Sequence, residues 1–230
     1  MTIGIVVFPG TNCEQDVAYA LGALGGDTVP VWHRETSLDG LAAVVLPGGF
    51  AHGDYLRTGA IARFSPVMAA VEKLAAERRP VLGICNGFQI LCEAGLLPGA
   101  LIANRDLKFI CRPVTVRVES TGSILTRAAT LGQVLTIPLN SYEGNYIPGL
   151  DAPRTILRYC GPDGSVSGES NLNGSADAVA AISNSTGTVA GLMPHPERAI
   201  EEFMGSTDGR ILLESFIASS ETTAVGAADA

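Results

Sequence analysis

Gly83-Ile84-Cys85-Asn86-Gly87-Phe88-Gln89 sets a cysteine between an apolar run and the start of a helix. Residues 80–84 read as a short buried strand, and Phe88, Ile90 and Leu91 open a helix that stops near Gly95. Cys85 therefore falls on the turn between them. A helix N-terminus offers partial positive charge and unsatisfied N–H groups, which favour a thiolate and can hold an oxyanion. The two flanking glycines permit a sharp turn with close packing. Gln89 follows four residues later, and helical side chains lean toward the N-terminus, so its amide is expected to reach back over the thiol. The bland alternative is a buried, inert cysteine.

Upstream of this turn, strand-like runs at 3–8, 28–32 and 43–46 alternate with helical patterns at 13–24 and 59–77, and the 80–84 strand is followed by a helix over 86–94. Alternating β and α predicts an α/β fold: an open, mostly parallel sheet with helices on both faces. After Gly99 the pattern turns β-rich, with strands expected at 109–118, 134–137 and 155–159. Residues 178–182 and 188–193 read as a final hairpin, and 210–219 as a closing helix. Residues 1–220 are expected to form one domain, and 221–230 a frayed tail.

In such a sheet ligands bind beyond the carboxyl ends of the strands. Three loops fall there: Pro9-Gly10-Thr11-Asn12-Cys13, Pro47-Gly48-Gly49-Phe50, and the loop of Cys85. Each alone is an ordinary glycine-containing turn.

A nucleophilic thiol needs a proton acceptor. Among His33, His52 and His195, the last is distinctive, because it lies in Met193-Pro194-His195-Pro196-Glu197-Arg198 directly after the last expected strand. Pro196 pushes His195 toward extended geometry, where residues two apart project to the same side, so Glu197 can hold the imidazole. Base and orienting carboxylate thus come from one segment and the nucleophile from another. His33 reads as packed or partly exposed. His52, beside the second loop, reads as structural or partner-facing.

The chain has 230 residues, 47% of them hydrophobic, with a net charge of -8 and a pI near 4.8. That balance argues against nucleic acid, and no apolar run is long enough for a membrane span. Residues 1–8 read directly as a strand, without a leader, so a cytoplasmic protein is expected. The five cysteines are irregularly spaced and include no C-x-x-C pair, so no disulfide framework, zinc site or other metal site is indicated.

Cys85 in a Gly-x-Cys-x-Gly-x-Gln frame, with Pro-His-Pro-Glu late in the chain, resembles the triad (class I) glutamine amidotransferases, whose fold is flavodoxin-like. The segments 8–13, 47–60, 104–112 and 143–146 resemble the branch of that family that serves purine synthesis, so the likeness covers nearly all of the chain but its tail. The resemblance implies that Cys85 is the nucleophile, His195 the base and later acid, and Glu197 the group that orients His195. It implies backbone N–H groups of Gly49 and Asn86 as the oxyanion hole, and Gln89 with Gly48 as glutamine-binding residues. The substrate implied is glutamine, and the partner a large ATP- and magnesium-dependent synthetase subunit that turns formylglycinamide ribonucleotide into the amidine, with a small third subunit. No cofactor is expected on this chain itself. Where the family often carries a histidine before a Glu-Gly pair, this chain reads Asn140-Ser141-Tyr142-Glu143, so Ser141 stands in its place. Glu143, Lys108 and Arg112 become interface candidates only through the resemblance. The rivals are an amidotransferase serving guanylate or histidine synthesis, a silent binding module on the same fold, and another cysteine hydrolase.

Overall fold

Ile3, Ile5 and Val6 bury against Val44 and its neighbours because a strand covered on both faces must be apolar throughout, and this is the texture of the central strands. The computed structural model describes residues 1–228; residues 229 and 230 lie outside it. In chain order the elements are β1 (Thr2–Val7), α1 (Glu14–Ala23), β2 (Asp27–Trp32), β3 (Ala43–Leu46), α2 (Pro66–Ala76), β4 (Val81–Ile84), α3 (Asn86–Glu93), β5 (Ala100–Ile102), β6 (Ile110–Val118), β7 (Val134–Ser141), β8 (Asn145–Ile147), β9 (Arg154–Cys160), β10 (Val179–Ser183), β11 (Val189–Leu192) and α4 (Gly209–Ala228).

One nine-stranded sheet runs in the order β2-β1-β3-β4-β11-β10-β9-β6-β7. From β2 to β11 neighbouring strands are parallel; from β11 to β7 they are antiparallel. The first half is therefore the expected α/β sheet and the second its β-rich extension. β3, β4 and β11 are buried at every position. The chain ends of β1, β3, β4 and β11 all meet at one rim, which puts the loops after Val7, Leu46, Ile84 and Leu192 together. β5 and β8 form a separate two-stranded ladder that the sequence pattern did not signal.

Two boundaries differ from the sequence reading. The helix expected over 59–77 is two pieces, a 3-10 turn at Ala62–Phe64 and then α2. Gly59 has φ +77, Ser65 is extended, and Pro66 supplies the fixed φ of a first helical residue, so a new helix begins there. At the other end, α4 does not stop at 219 but continues to Ala228, through most of the expected tail. No proline interrupts 221–228, and alanine favours helix. No helix among the described residues is long and apolar enough to cross a membrane.

α3 decides how closely the rim can be built. Its residues from Asn86 to Cys92 are all buried, so it is packed on every side. Gly87 sits where a Cβ would overlap the Leu46 carbonyl, and a Cβ on Gly83 would come within 2.7 Å of the Gly87 backbone. The helix start therefore presses directly onto β3 and β4. Gly87→Ala is expected to cost at least about 3 kcal/mol, since backbone rather than a side chain tip would have to move. Urea unfolding of the purified variant measures it.

Candidate functional site

Cys85 stands between the end of β4 and the first turn of α3 with φ 51 and ψ −106, a conformation a non-glycine residue rarely adopts. Its backbone N–H donates to Leu192 O at 2.8 Å, continuing the β4–β11 pairing by one residue beyond Ile84. The strain is thus held by the sheet, and it exposes the thiol at the rim, the arrangement of a nucleophile elbow. The Sγ lies 3.5 Å from Asn140 O.

The base arrives from the neighbouring strand. After β11 the chain turns so that the His195 N–H donates to Pro138 O of β7 at 2.8 Å, and Pro196–Arg198 forms a single 3-10 turn. That turn brings Glu197 Oε1 to 2.6 Å from His195 Nδ1, with both side chains almost fully buried. The expected pairing through residues two apart is formed. Burial acts most strongly on the imidazole and pulls its pKa down; Glu197 first, then Cys85 and Cys13, outweigh it and hold the value well above that of an ordinary histidine. Nε2 is buried, forms no hydrogen bond, and is aimed toward the thiols.

Cys85 and His195 line one cleft of about 310 Å³, together with Gly49, Asp54, Gln89, Asn140, Glu143 and Arg198. That size is at the small end for ligand sites and suits an amino acid better than a nucleotide. The N–H groups of Gly49 and Asn86 donate to no acceptor among the described residues, which leaves them for a developing oxyanion. Gly48 serves the site by being small: a Cβ there would lie 2.8 Å from His195 Cε1.

Gln89 lines the cleft as expected, yet both ends of its amide are engaged within the protein. Nε2 donates to Glu143 O at 2.6 Å, and Oε1 accepts from Asn86 Nδ2 at 2.9 Å. It braces the 140–144 loop. Asn104 does the same from the other side, with its backbone N–H donating to Tyr142 O, Nδ2 donating to Ser141 O and Lys108 O, and Oδ1 accepting from Gly144 N. The loop is held through its backbone, so the Ser141 side chain, buried with an unpartnered hydroxyl, takes no part in holding it. Glu143 faces the cleft and accepts a hydrogen bond from Thr58 at 2.8 Å.

His33 and His52 lie away from the thiol. Their ring nitrogens meet the Ser65 hydroxyl at 3.4 and 3.3 Å, and the two rings pack edge to face. His52 is left-handed, with φ 54, and its N–H bonds Pro9 O, so it shapes the loop after β3.

Sequence reading missed Cys13, Arg198 and Asp54. Cys13 lies beside His195 in the cleft, and Arg198, ion-paired with Asp16 at 2.8 Å, donates to its sulfur at 3.3 Å. Asp54 accepts from Asn86 Nδ2 at 3.2 Å. Burial pushes its carboxyl up to about 6; the Asn86 hydrogen bond opposes this and Glu143 adds to it. The folded chain keeps this proton where an unfolded aspartate has lost it, so its contribution to stability is full below the ordinary value of 3.8 and is lost as pH rises through about 6. Asp54→Asn is expected to flatten thermal stability across that window, by about 1 kcal/mol once partial exposure is allowed for. Melting curves at a series of pH values test this.

Residues 1–211 match the family described as the CobB/CobQ-like glutamine amidotransferase domain. A protein of Moorella thermoacetica named phosphoribosylformylglycinamidine synthase subunit PurQ is 50% identical over 225 residues, covering 94% of this chain and 95% of the relative. One of the same name from Koribacter versatilis is 49% identical over 226 residues, covering 94% and 97%. Among solved structures, PurLQS from Thermotoga maritima superposes with a TM-score of 0.87 at 39% identity, covering 94% of this chain and 97% of that one. A putative GMP synthase subunit of Thermoplasma acidophilum, at 20% identity and a TM-score of 0.69, shares the fold.

Proposed function

Because the chain belongs to the CobB/CobQ-like glutamine amidotransferase family, we propose that it is the glutaminase subunit of phosphoribosylformylglycinamidine synthase. It hydrolyses glutamine and delivers the ammonia to a synthetase that converts formylglycinamide ribonucleotide to formylglycinamidine ribonucleotide in purine biosynthesis. The observation that carries the chemistry is a strained cysteine sharing an amino-acid-sized cleft with a buried imidazole whose far nitrogen is gripped by a carboxylate.

The thiol proton passes to His195 Nε2, and Cys85 Sγ attacks the side-chain amide carbon of glutamine. The negative charge gathers on the amide oxygen, where the free N–H groups of Gly49 and Asn86 receive it. His195 returns its proton to the departing nitrogen, ammonia leaves, and a glutamyl thioester remains on Cys85. Water gives a proton to the same imidazole, attacks the thioester and frees glutamate. Glu197 keeps Nδ1 protonated and Nε2 turned to the thiol throughout. Gln89 acts on glutamine as part of the cleft wall and through the loop it braces, and Gly48 by leaving room for the imidazole.

Ammonia released into water is protonated and no longer a nucleophile, so the activity is useful only beside its consumer. Phe50, Phe109 and Tyr142 in the cleft wall, and Tyr55 and Leu56 on the loop after β3, are exposed, which supplies an apolar mouth for docking. The partners are a large PurL-like synthetase subunit, which carries the ATP and magnesium, and a small PurS-like subunit. All five cysteines are free, as suits the reducing cytoplasm. Glutamate release by the isolated chain is expected to be weak and to rise when the synthetase is added. Full activity of the chain alone would overturn the docking requirement.

A further inference from the structure

We propose that Cys13, Cys85 and His195 together form a zinc-binding site that silences the thiol reversibly. The nearest observation is the packing around Gly48. A Cβ at that one point would lie 2.8 Å from His195 Cε1, 3.1 Å from Cys13 Sγ and 3.5 Å from Cys85 Cβ, so three side chains with soft or borderline donor atoms converge on a single small residue. Cys13, His195 and Glu197 each offer a donor atom within 4.8 Å of the others, and all are buried. His195 Nε2 is itself buried and unpartnered.

The donor set is that of a zinc site with an open position. Two sulfurs and one imidazole nitrogen supply three tetrahedral corners, and the cleft leaves a fourth to water or to a ligand. Glu197 completes the design from outside. Its hydrogen bond to Nδ1 fixes the tautomer that leaves the Nε2 lone pair free, the usual relation of a carboxylate to a metal-bound histidine. Arg198 is the cation in contact with Cys13, and its charge is offset by Asp16. Binding replaces the proton of each thiol with the metal, and those protons go to the buffer, so affinity must rise with pH. Sequence reading found no zinc signature because Cys13 and Cys85 sit on the loops after β1 and β4, and only the sheet joins them.

The test uses the full chain, reduced and stripped with a chelator, titrated with Co²⁺ and then with Zn²⁺. One equivalent of cobalt is expected to give tetrahedral d–d bands with sulfur charge transfer, and one equivalent of zinc to displace it. Glu197→Gln is expected to weaken zinc by about 10- to 100-fold, and Cys13→Ser or Cys85→Ala by more than that. Cys111→Ser, which removes the exposed thiol, serves as the control and should leave binding unchanged. X-ray absorption of the zinc-loaded wild type should report two sulfurs and one nitrogen, a readout that survives if Cys13→Ser fails to fold. Absence of stoichiometric binding, loss of it in Cys111→Ser, or a first shell without two sulfurs overturns the proposal. Since the metal is counted directly, the result is independent of whether the chain splits glutamine.

Discussion

Cys85→Ala is expected to lower glutamate release by about four orders of magnitude or more while leaving the fold intact, because the residue supplies the only bond to the acyl intermediate. Alanine also removes no packing of note, since the side chain projects into the cleft. The measurement is glutamate formed by the complex with its synthetase, for wild type and variant, beside their melting curves. The synthetase reaction fed with free ammonium salt should continue in the variant complex. Loss of that ammonia-driven reaction would show that the substitution had damaged assembly; retained glutamine splitting would sink the assigned nucleophile.

Glu197→Gln is expected to cost roughly 1,000- to 10,000-fold in kcat, since an amide can hold the imidazole in the wrong tautomer. It also changes how His195 titrates. Burial already pulls that imidazole down, and Glu197 is the strongest influence lifting it, so the variant's histidine should titrate at lower pH than the wild type's. The sign for stability follows. A histidine lifted in the folded state adds stability that is fully present below its unfolded value near 6.5 and is lost as pH rises through the folded value. The gap between wild type and variant should therefore be widest in acid and close as pH rises. Histidine NMR titration and unfolding at a series of pH values check both halves, and an unmoved titration would remove Glu197 from its role.

What the sequence made legible was whatever depends on neighbours in the chain. The run Gly83 to Gln89 declared the strand, the elbow and the helix, and β4 and α3 stand where they were read. His195 and Glu197 sit two residues apart, and backbone geometry alone brings them into contact. What stayed hidden depends on distant pieces. Nothing around Cys13 signals that its sulfur ends beside His195, because Gly48, on a third loop, makes the space. The amide of Gln89 was expected over the thiol, and its hydrogen bonds to Glu143 and Asn86 arise only when β7 brings the 140–144 loop across α3. The break before α2 was in reach, since Ser65-Pro66 is a helix start; the Ser65 hydroxyl meets two histidines there and caps nothing.

The order in which the strands enter the sheet has a further bearing on the living cell. β11 slots between β4 and β10 although it is the last strand to be made, and it carries the imidazole with it. A nascent chain emerging from the ribosome therefore displays its sulfur long before any proton acceptor exists to arm it. Vectorial synthesis itself postpones activity until nearly the whole polypeptide is present, and truncated products are left unable to waste glutamine.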